Sequence, residues 1–253
     1  MVSQMVRRIR SRGYELDANV TVPGSTVLRY LEHLRWESAR DPSSPLGKLF
    51  QDGYRTVVRA QQLEIEDHIG LDVDLDVSLE LGHVGRASME MLHEVVRVSD
   101  GKCVARGVVT AVYLNPSGRP HSIPQEIRDL SVREERTTLA VPLVEQATAD
   151  AWSRRFVVMP SDLDLFQHVN HARYLDYFDD TRRLAAADRA YGKSSEKAGG
   201  PLFRASLDYR GQAVGADDLT MSTWLLAGTG EAMGFELRKD DEVLTRCRLE
   251  VRG

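Results

Sequence analysis

The strongest constraint on this chain is an order of elements that occurs twice: a short strand, one long amphipathic helix, then a run of strands. In the first half, residues 5–12 read as a strand, and Val22-Pro-Gly-Ser-Thr leads into a helical pattern. Val27, Leu28, Leu31, Leu34 and Trp36 form its apolar face, with Ser25 or Thr26 as the N-cap. Residues 40–49 have the Pro, Ser and Gly content of a loop. Four strands are then expected, Tyr54 to Ile65, Leu71 to Leu81, Ala87 to Val98 and Cys103 to Leu114, with hairpin signals at Gly82-His-Val-Gly and Ser99-Asp-Gly-Lys. After a linker carrying some helix, residues 116–152, the order starts again. A strand from Arg154 to Met159 precedes a helix whose apolar stripe is Tyr174, Leu175, Phe178, Leu184 and Ala185. A polar loop at Gly192-Lys-Ser-Ser-Glu-Lys-Ala-Gly-Gly follows. Strands Leu202 to Tyr209, Asp218 to Leu226, Glu231 to Arg238 and Val243 to Val251 close the chain, with turns at Gly228-Thr-Gly and Lys239-Asp-Asp.

The repeat has some support in the letters. Arg29-Tyr-Leu-Glu and Arg173-Tyr-Leu-Asp lie 173 − 29 = 144 positions apart, and the hairpins ending at Arg106 and Arg246 lie 246 − 106 = 140 apart. A duplicated domain tolerates such a drift in its loops, and element order carries more weight than short identities. At 253 residues, two domains of ordinary size are expected, 1–115 and 153–253.

Composition narrows the function. A net charge of −5 argues against nucleic acid as a partner, and two cysteines, Cys103 and Cys247, support neither a disulfide framework nor a cysteine zinc site. No run reaches the ~18 apolar residues of a membrane span, and the basic start MVSQMVRRIRSRG has no apolar core behind it. A cytoplasmic protein without membrane partner, metal or cofactor is expected. Asp72-Val-Asp-Leu-Asp76 has Val77 and His83 where a calcium loop needs Gly and Glu, so it reads as a strand. Gly228-Thr-Gly-Glu-Ala-Met-Gly lacks dinucleotide spacing, and no G-x-S-x-G occurs. Arg7, Arg8, Arg10 and Arg12 read as a solvated edge, or as a dock for an acidic carrier protein.

The stretch Ser161-Asp-Leu-Asp-Leu-Phe-Gln-His-Val-Asn-His carries the chemistry. It places acids, histidines and an Asn just ahead of a helix, whose N-terminus offers backbone N–H groups and partial positive charge. Asn170 or Ser161 is a candidate cap. The plain alternative is that Asp162 and Asp164 are turn acids, and for Asp162 that reading is preferred. His171 is expected to be exposed. His68 reads as part of a strand-end polar cluster, or as a residue facing the second half's site.

Asp162-Leu-Asp164, then Gln167-His-Val-Asn170-His, then Tyr174-Leu-Asp-Tyr-Phe resembles the hotdog-fold thioesterases of the acyl-ACP and 4-hydroxybenzoyl-CoA type, over roughly Arg154 to Gly253. The duplicated layout is similar to the acyl-ACP thioesterases of bacteria and plants. The resemblance implies an α+β tandem (double) hotdog, each half a long central helix wrapped by an antiparallel sheet. It implies hydrolysis of acyl thioesters, most directly fatty acyl-ACP, with acyl-CoA as the alternative carrier. Asp164, His168 and Asn170 match the family's catalytic positions. Phe166 stands where the plant pattern has Asn and Gln212 where it has Glu, and these two with Tyr174 are the expected substrate contacts. Asp164 would deprotonate water or attack the carbonyl, and His168 would orient the water or carry the proton. At the 144 spacing Val20 falls under Asp164 and Gly24 under His168, so the first half is expected to have lost the acidic loop. A hotdog dehydratase and a non-catalytic acyl-thioester-binding module are the competing readings. A double hotdog pairs its halves internally, so a monomer and a homodimer are both coherent.

Overall fold

Both helices expected from the apolar spacing are present, each 17 residues long: α1 over Gly24–Arg40 and α4 over His171–Ala187. Leu28, Leu31, Leu34, Arg35 and Ser38 are buried along α1, and Tyr174, Leu175, Phe178, Thr181, Arg182 and Ala185 along α4. These positions recur every three or four residues, the period that keeps side chains on one helical face. Leu184, expected on the stripe, is 48% exposed. The N-cap of α1 is Pro23, so Ser25 and Thr26 lie inside its first turn, where Pro23 fixes φ but supplies no side-chain acceptor. Residues 40–49 are only partly loop. Pro45–Leu49 form a short helix, α2, which Ser44 caps by accepting a hydrogen bond from Gly47 N at 2.9 Å.

The structure is a computed structural model that describes residues 4–50, 53–137, 147–148, 150–227 and 230–252. It separates into two units, Met1–Leu139 and Ala140–Gly253. The first holds β1 (Met5–Arg10), β2 (Arg55–Ile65), β3 (Asp74–Val84), β4 (Ser88–Arg97) and β5 (Cys103–Leu114), antiparallel in the order β1-β3-β4-β5-β2. The second holds β6 (Trp152–Val157), β7 (Leu202–Tyr209), β8 (Asp218–Leu225), β9 (Ala232–Lys239) and β10 (Glu242–Val251), in the equivalent order β6-β8-β9-β10-β7. The described elements also include two four-residue helices, α3 (Gln125–Arg128) and α5 (Ser195–Ala198), and a 3₁₀ turn at Gly192–Ser194. Part of the stretch expected as a linker packs on the first unit: Val132 N donates to Leu81 O at 3.0 Å and Ser131 Oγ to Gly82 O at 2.5 Å. Of the turn expected at Gly228-Thr-Gly, Gly228 and Thr229 lie outside the described residues.

The duplication is real, but its spacing over the helices is 147, not 144. β1 and β6 start at 5 and 152, the 3₁₀ turns Gly13–Glu15 and Pro160–Asp162 at 13 and 160, and the long helices at 24 and 171; each difference is 147. Tyr30 therefore lies under Tyr177, and the shared Arg-Tyr-Leu letters are one helical turn out of register. Strand pairing gives the later spacings. Asp74, opposite Arg10, matches Asp218, opposite Val157, a difference of 144. His93 opposite Gly107 matches Phe235 opposite Cys247, differences of 142 and 140. The 140 read at the last hairpin thus holds.

These equivalent rows build two different cores under the helices. In the second unit Phe178 of α4 meets Phe235 edge-on, ring centroids 5.6 Å apart, a favourable aromatic geometry. In the first, Leu31 comes so close to Gly107 that a Cβ there would collide with it, and the neighbouring position is His93. His93 is buried, with Nδ1 2.9 Å from Ser78 O. Burial, helped by the Arg35 charge, pulls its pKa down to about 3, so the ring is neutral at pH 7.

Candidate active site

The loop before α4 is a tight turn built by its own acid. Asp164 Oδ1 accepts from Phe166 N at 2.8 Å and His168 N at 3.3 Å, Asp164 N donates to His168 O at 2.8 Å, and Gln167 N to Asp164 O at 3.1 Å. Closing this turn forces Gln167 to a φ of 65°, in the left-handed region. Leu163 bridges Val169 across the turn, and His168 bridges Val214 on the neighbouring segment. Among the described residues, Asp164 Oδ2 and the His168 ring have no protein partner. One carboxylate oxygen shapes the loop; the other is available for chemistry, and half-buried His168 closes the same turn through its backbone.

Asp162 is the structural acid, as expected. It is 3% exposed and accepts from Tyr177 OH at 2.6 Å, Arg173 Nε at 2.7 Å and Met159 N at 2.9 Å. Burial works to raise its pKa, but these donors together hold it below the ordinary value of 3.8. Asn170 caps α4, its Oδ1 accepting from Ala172 N at 2.9 Å, and Arg173 N donates to the Asn170 carbonyl at 2.8 Å. The helix start therefore spends two of its first three N–H groups within the fold, fewer donors than the sequence reading allowed for a substrate carbonyl.

Tyr174 is buried, and its hydroxyl accepts from Ala213 N at 3.0 Å while Val169 N donates to Ala213 O at 2.9 Å. Burial pushes the Tyr174 pKa up to about 12. Its place is behind the site, pinning the Gln212-Ala213-Val214 segment beside His168. Gln212 is exposed on that segment, and Leu165, Phe166 and Val214 are 66%, 51% and 39% exposed, an apolar rim around the carboxylate. His171 is half-buried at the first helical position, not exposed. Arg7, Arg8 and Arg10 form ion pairs with Glu37, Asp76 and Asp72, while Arg12 donates from Nη1 to Tyr14 OH.

The sequence reading missed that the first unit keeps the same loop. Asp17 Oδ1 accepts from Asn19 N at 2.9 Å and Thr21 N at 3.2 Å, Asp17 N donates to Thr21 O at 2.8 Å, and Val20 takes φ 59°. Glu15 accepts from Tyr30 OH at 2.7 Å and Arg12 N at 2.8 Å, as Asp162 does from Tyr177 and Met159. The available signal was the distance to the helix start, 24 − 17 = 7 and 171 − 164 = 7.

Residues 12–130 match the model of the thioesterase-like superfamily, so the family signal is found in the half where the motif letters are weaker. No curated protein matches the chain. Among solved structures it is similar to an acyl-ACP thioesterase from Bacteroides thetaiotaomicron VPI-5482, at 17% identity and TM-score 0.81, over 98% of this chain and 97% of that one. It is similar over the same shares to the 12:0-ACP thioesterase from Umbellularia californica, at 17% identity and TM-score 0.79. The fold is the tandem hotdog, and the thioesterase-like match covers a little under half of the chain. Residues 12–130 are its thioesterase-like segment. Among the described residues no helix is long and apolar enough to cross a membrane.

Proposed function

We propose that the chain hydrolyses fatty acyl-ACP to free fatty acid and holo-ACP, with catalysis in the second unit. The observation that carries the site is the divided Asp164 carboxylate, one oxygen locked in the turn and one open beside His168. Support for the carrier comes from the full-length likeness to structures described as acyl-ACP thioesterases. Water adds to the thioester carbonyl as Asp164 or His168 takes its proton, the tetrahedral intermediate expels the carrier thiolate, and the held proton returns to sulfur. Phe166 and Leu165 would contact the acyl chain, and Gln212 would hydrogen-bond the thioester or the water.

The test is hydrolysis of a panel of acyl-ACP and acyl-CoA chains by wild type and Asp164→Asn. Asparagine retains the acceptor that closes the turn and removes only the charge. A loss of about 100-fold or more in kcat, with unchanged thermal stability, is expected for deleting a catalytic acid–base group. Equal turnover by the variant would remove Asp164 from the mechanism. Turnover confined to acyl-CoA would reassign the carrier. Tight binding without turnover by wild type would establish a binding module.

A further inference from the structure

The loop carrying Asp164 and His168 lies against the connection between β7 and β8, residues 212–217. At the near end of that connection Val169 N donates to Ala213 O at 2.9 Å, Ala213 N donates to the Tyr174 hydroxyl at 3.0 Å, and His168 bridges Val214. A Cβ on Gly215 would come within 3.2 Å of Leu163 Cδ1, so this backbone is seated directly on the acidic loop. Asp217 fixes the far end. Its Oδ2 accepts from Val214 N at 2.9 Å, and its Oδ1 pairs with Lys239 Nζ at 2.7 Å. Its backbone joins in: Asp217 N donates to Val214 O at 3.2 Å, and Asp217 O accepts from Val158 N at 2.9 Å. Asp217 is 8% exposed. Burial works to raise its pKa, but Lys239 and the Val214 amide hold it below 3.8, so the carboxylate is charged at pH 7.

The first unit shows that closing this connection does not require a carboxylate. Ser11 N donates to Val73 O at 3.0 Å, as Val158 N does to Asp217 O, so Val73 lies under Asp217 and Gly70 under Val214. Buried Ser11 does the closing there: its Oγ accepts from Val73 N at 2.9 Å and donates to Gly70 O at 2.6 Å. A neutral hydroxyl thus holds the first connection by a carbonyl. A buried charge holds the second by the amide of the residue that bridges His168. The charge is the costlier device, and what it adds is a grip on the backbone beside the site.

We propose that Asp217, held by Lys239, is a positioning residue for hydrolysis: through Val214 N it sets where Gln212 and the His168 segment stand relative to Asp164. This deepens the function proposed above and rests on it. Asp217 acts through the backbone and does not touch the thioester.

The experiment measures kcat and KM on the acyl-ACP and acyl-CoA panel for wild type, Asp217→Ala, Asp217→Asn, Lys239→Met and Asp164→Asn. Thermal unfolding and amide hydrogen exchange at Val214 and His168 are followed for each, with kinetics run well below every melting temperature. Asp217→Ala should lower kcat by about 10- to 100-fold at near-constant KM, the loss expected when a reacting geometry slips by about an ångström. Exchange at Val214 should quicken with it. Asp217→Asn keeps an acceptor for Val214 N and should restore kcat to near wild type. Lys239→Met, at a half-exposed position, should lower kcat several-fold and quicken the same exchange. Wild-type kcat in Asp217→Ala, or no rescue by asparagine, overturns the positioning role. If Asp217→Ala does not fold, unchanged kcat and exchange in Lys239→Met overturn it instead. Turnover that depends on Asp217 but not on Asp164 overturns the catalytic assignment and leaves the positioning role standing. No turnover by wild type overturns both.

Discussion

Val20 and Gln167 show what the acidic loop costs. Both take a left-handed φ, 59° and 65°, so that the aspartate three residues earlier can close its turn. For a β-branched side chain this conformation is a true outlier, costing about 1–2 kcal/mol. Val20→Gly should therefore raise stability by about 0.5–1 kcal/mol, the strain relieved exceeding the entropy glycine adds to the unfolded chain. Chemical denaturation checks it; a destabilised variant would mean that the Val20 side chain packs to a purpose its 60% exposure does not show. The same residues mark the limit of sequence reading. The structural role of Asp162 was legible because an acid held by a helix and a turn sits in a recognisable place before that helix. Asp17 was not, since a carboxylate in an Asp-x-Asn turn is common and only the matching hydrogen bonds single it out. Tyr174 was taken for a substrate contact because an aromatic near a polar motif looks the same whether it faces a ligand or a backbone N–H.

At the scale of elements, helices and strands followed from periodicity, whereas their register did not. Sliding one helix past another by three residues, nearly a full turn, leaves the apolar stripe on almost the same face, so hydrophobic spacing cannot tell 144 from 147. The decision lies in what each side chain meets: Tyr30 and Tyr177 both donate to the acid that ends the preceding 3₁₀ turn, Glu15 and Asp162, a contact the pattern does not encode. Strand β4 carries the sharpest consequence. His93 stays neutral in the folded state to about pH 3, while in the unfolded chain it takes up a proton below its ordinary 6.5. A base with a depressed folded-state pKa contributes fully above the unfolded value, and the unfolded state gains stability as pH falls. Stability should therefore decline between pH 6.5 and about 3, by up to about 1.4 kcal/mol per pH unit from this residue. His93→Phe copies Phe235 of the other unit and should flatten that slope in denaturation curves measured across the range. An unchanged slope would place the acid sensitivity elsewhere.

For the molecule as a whole, the fold was the most legible property, because a duplicated order of one long helix and several antiparallel strands admits few architectures. The separations between equivalent residues, 147 over β1 to α1, 144 over β3, 142 over β4 and 140 over β5, also record where the chain has changed length. Every change falls in a connection after the helix. From the first strand through the acidic loop to the end of the helix, the two copies have kept one length while most of their letters diverged. A protein engineer can use that record as a map of permitted edits. Four Gly/Ser residues spliced after Asp100 should leave melting temperature and turnover near those of the parent, since surface loops absorb length cheaply. The same insert between Asp164 and Asn170 should abolish hydrolysis even where the protein still folds.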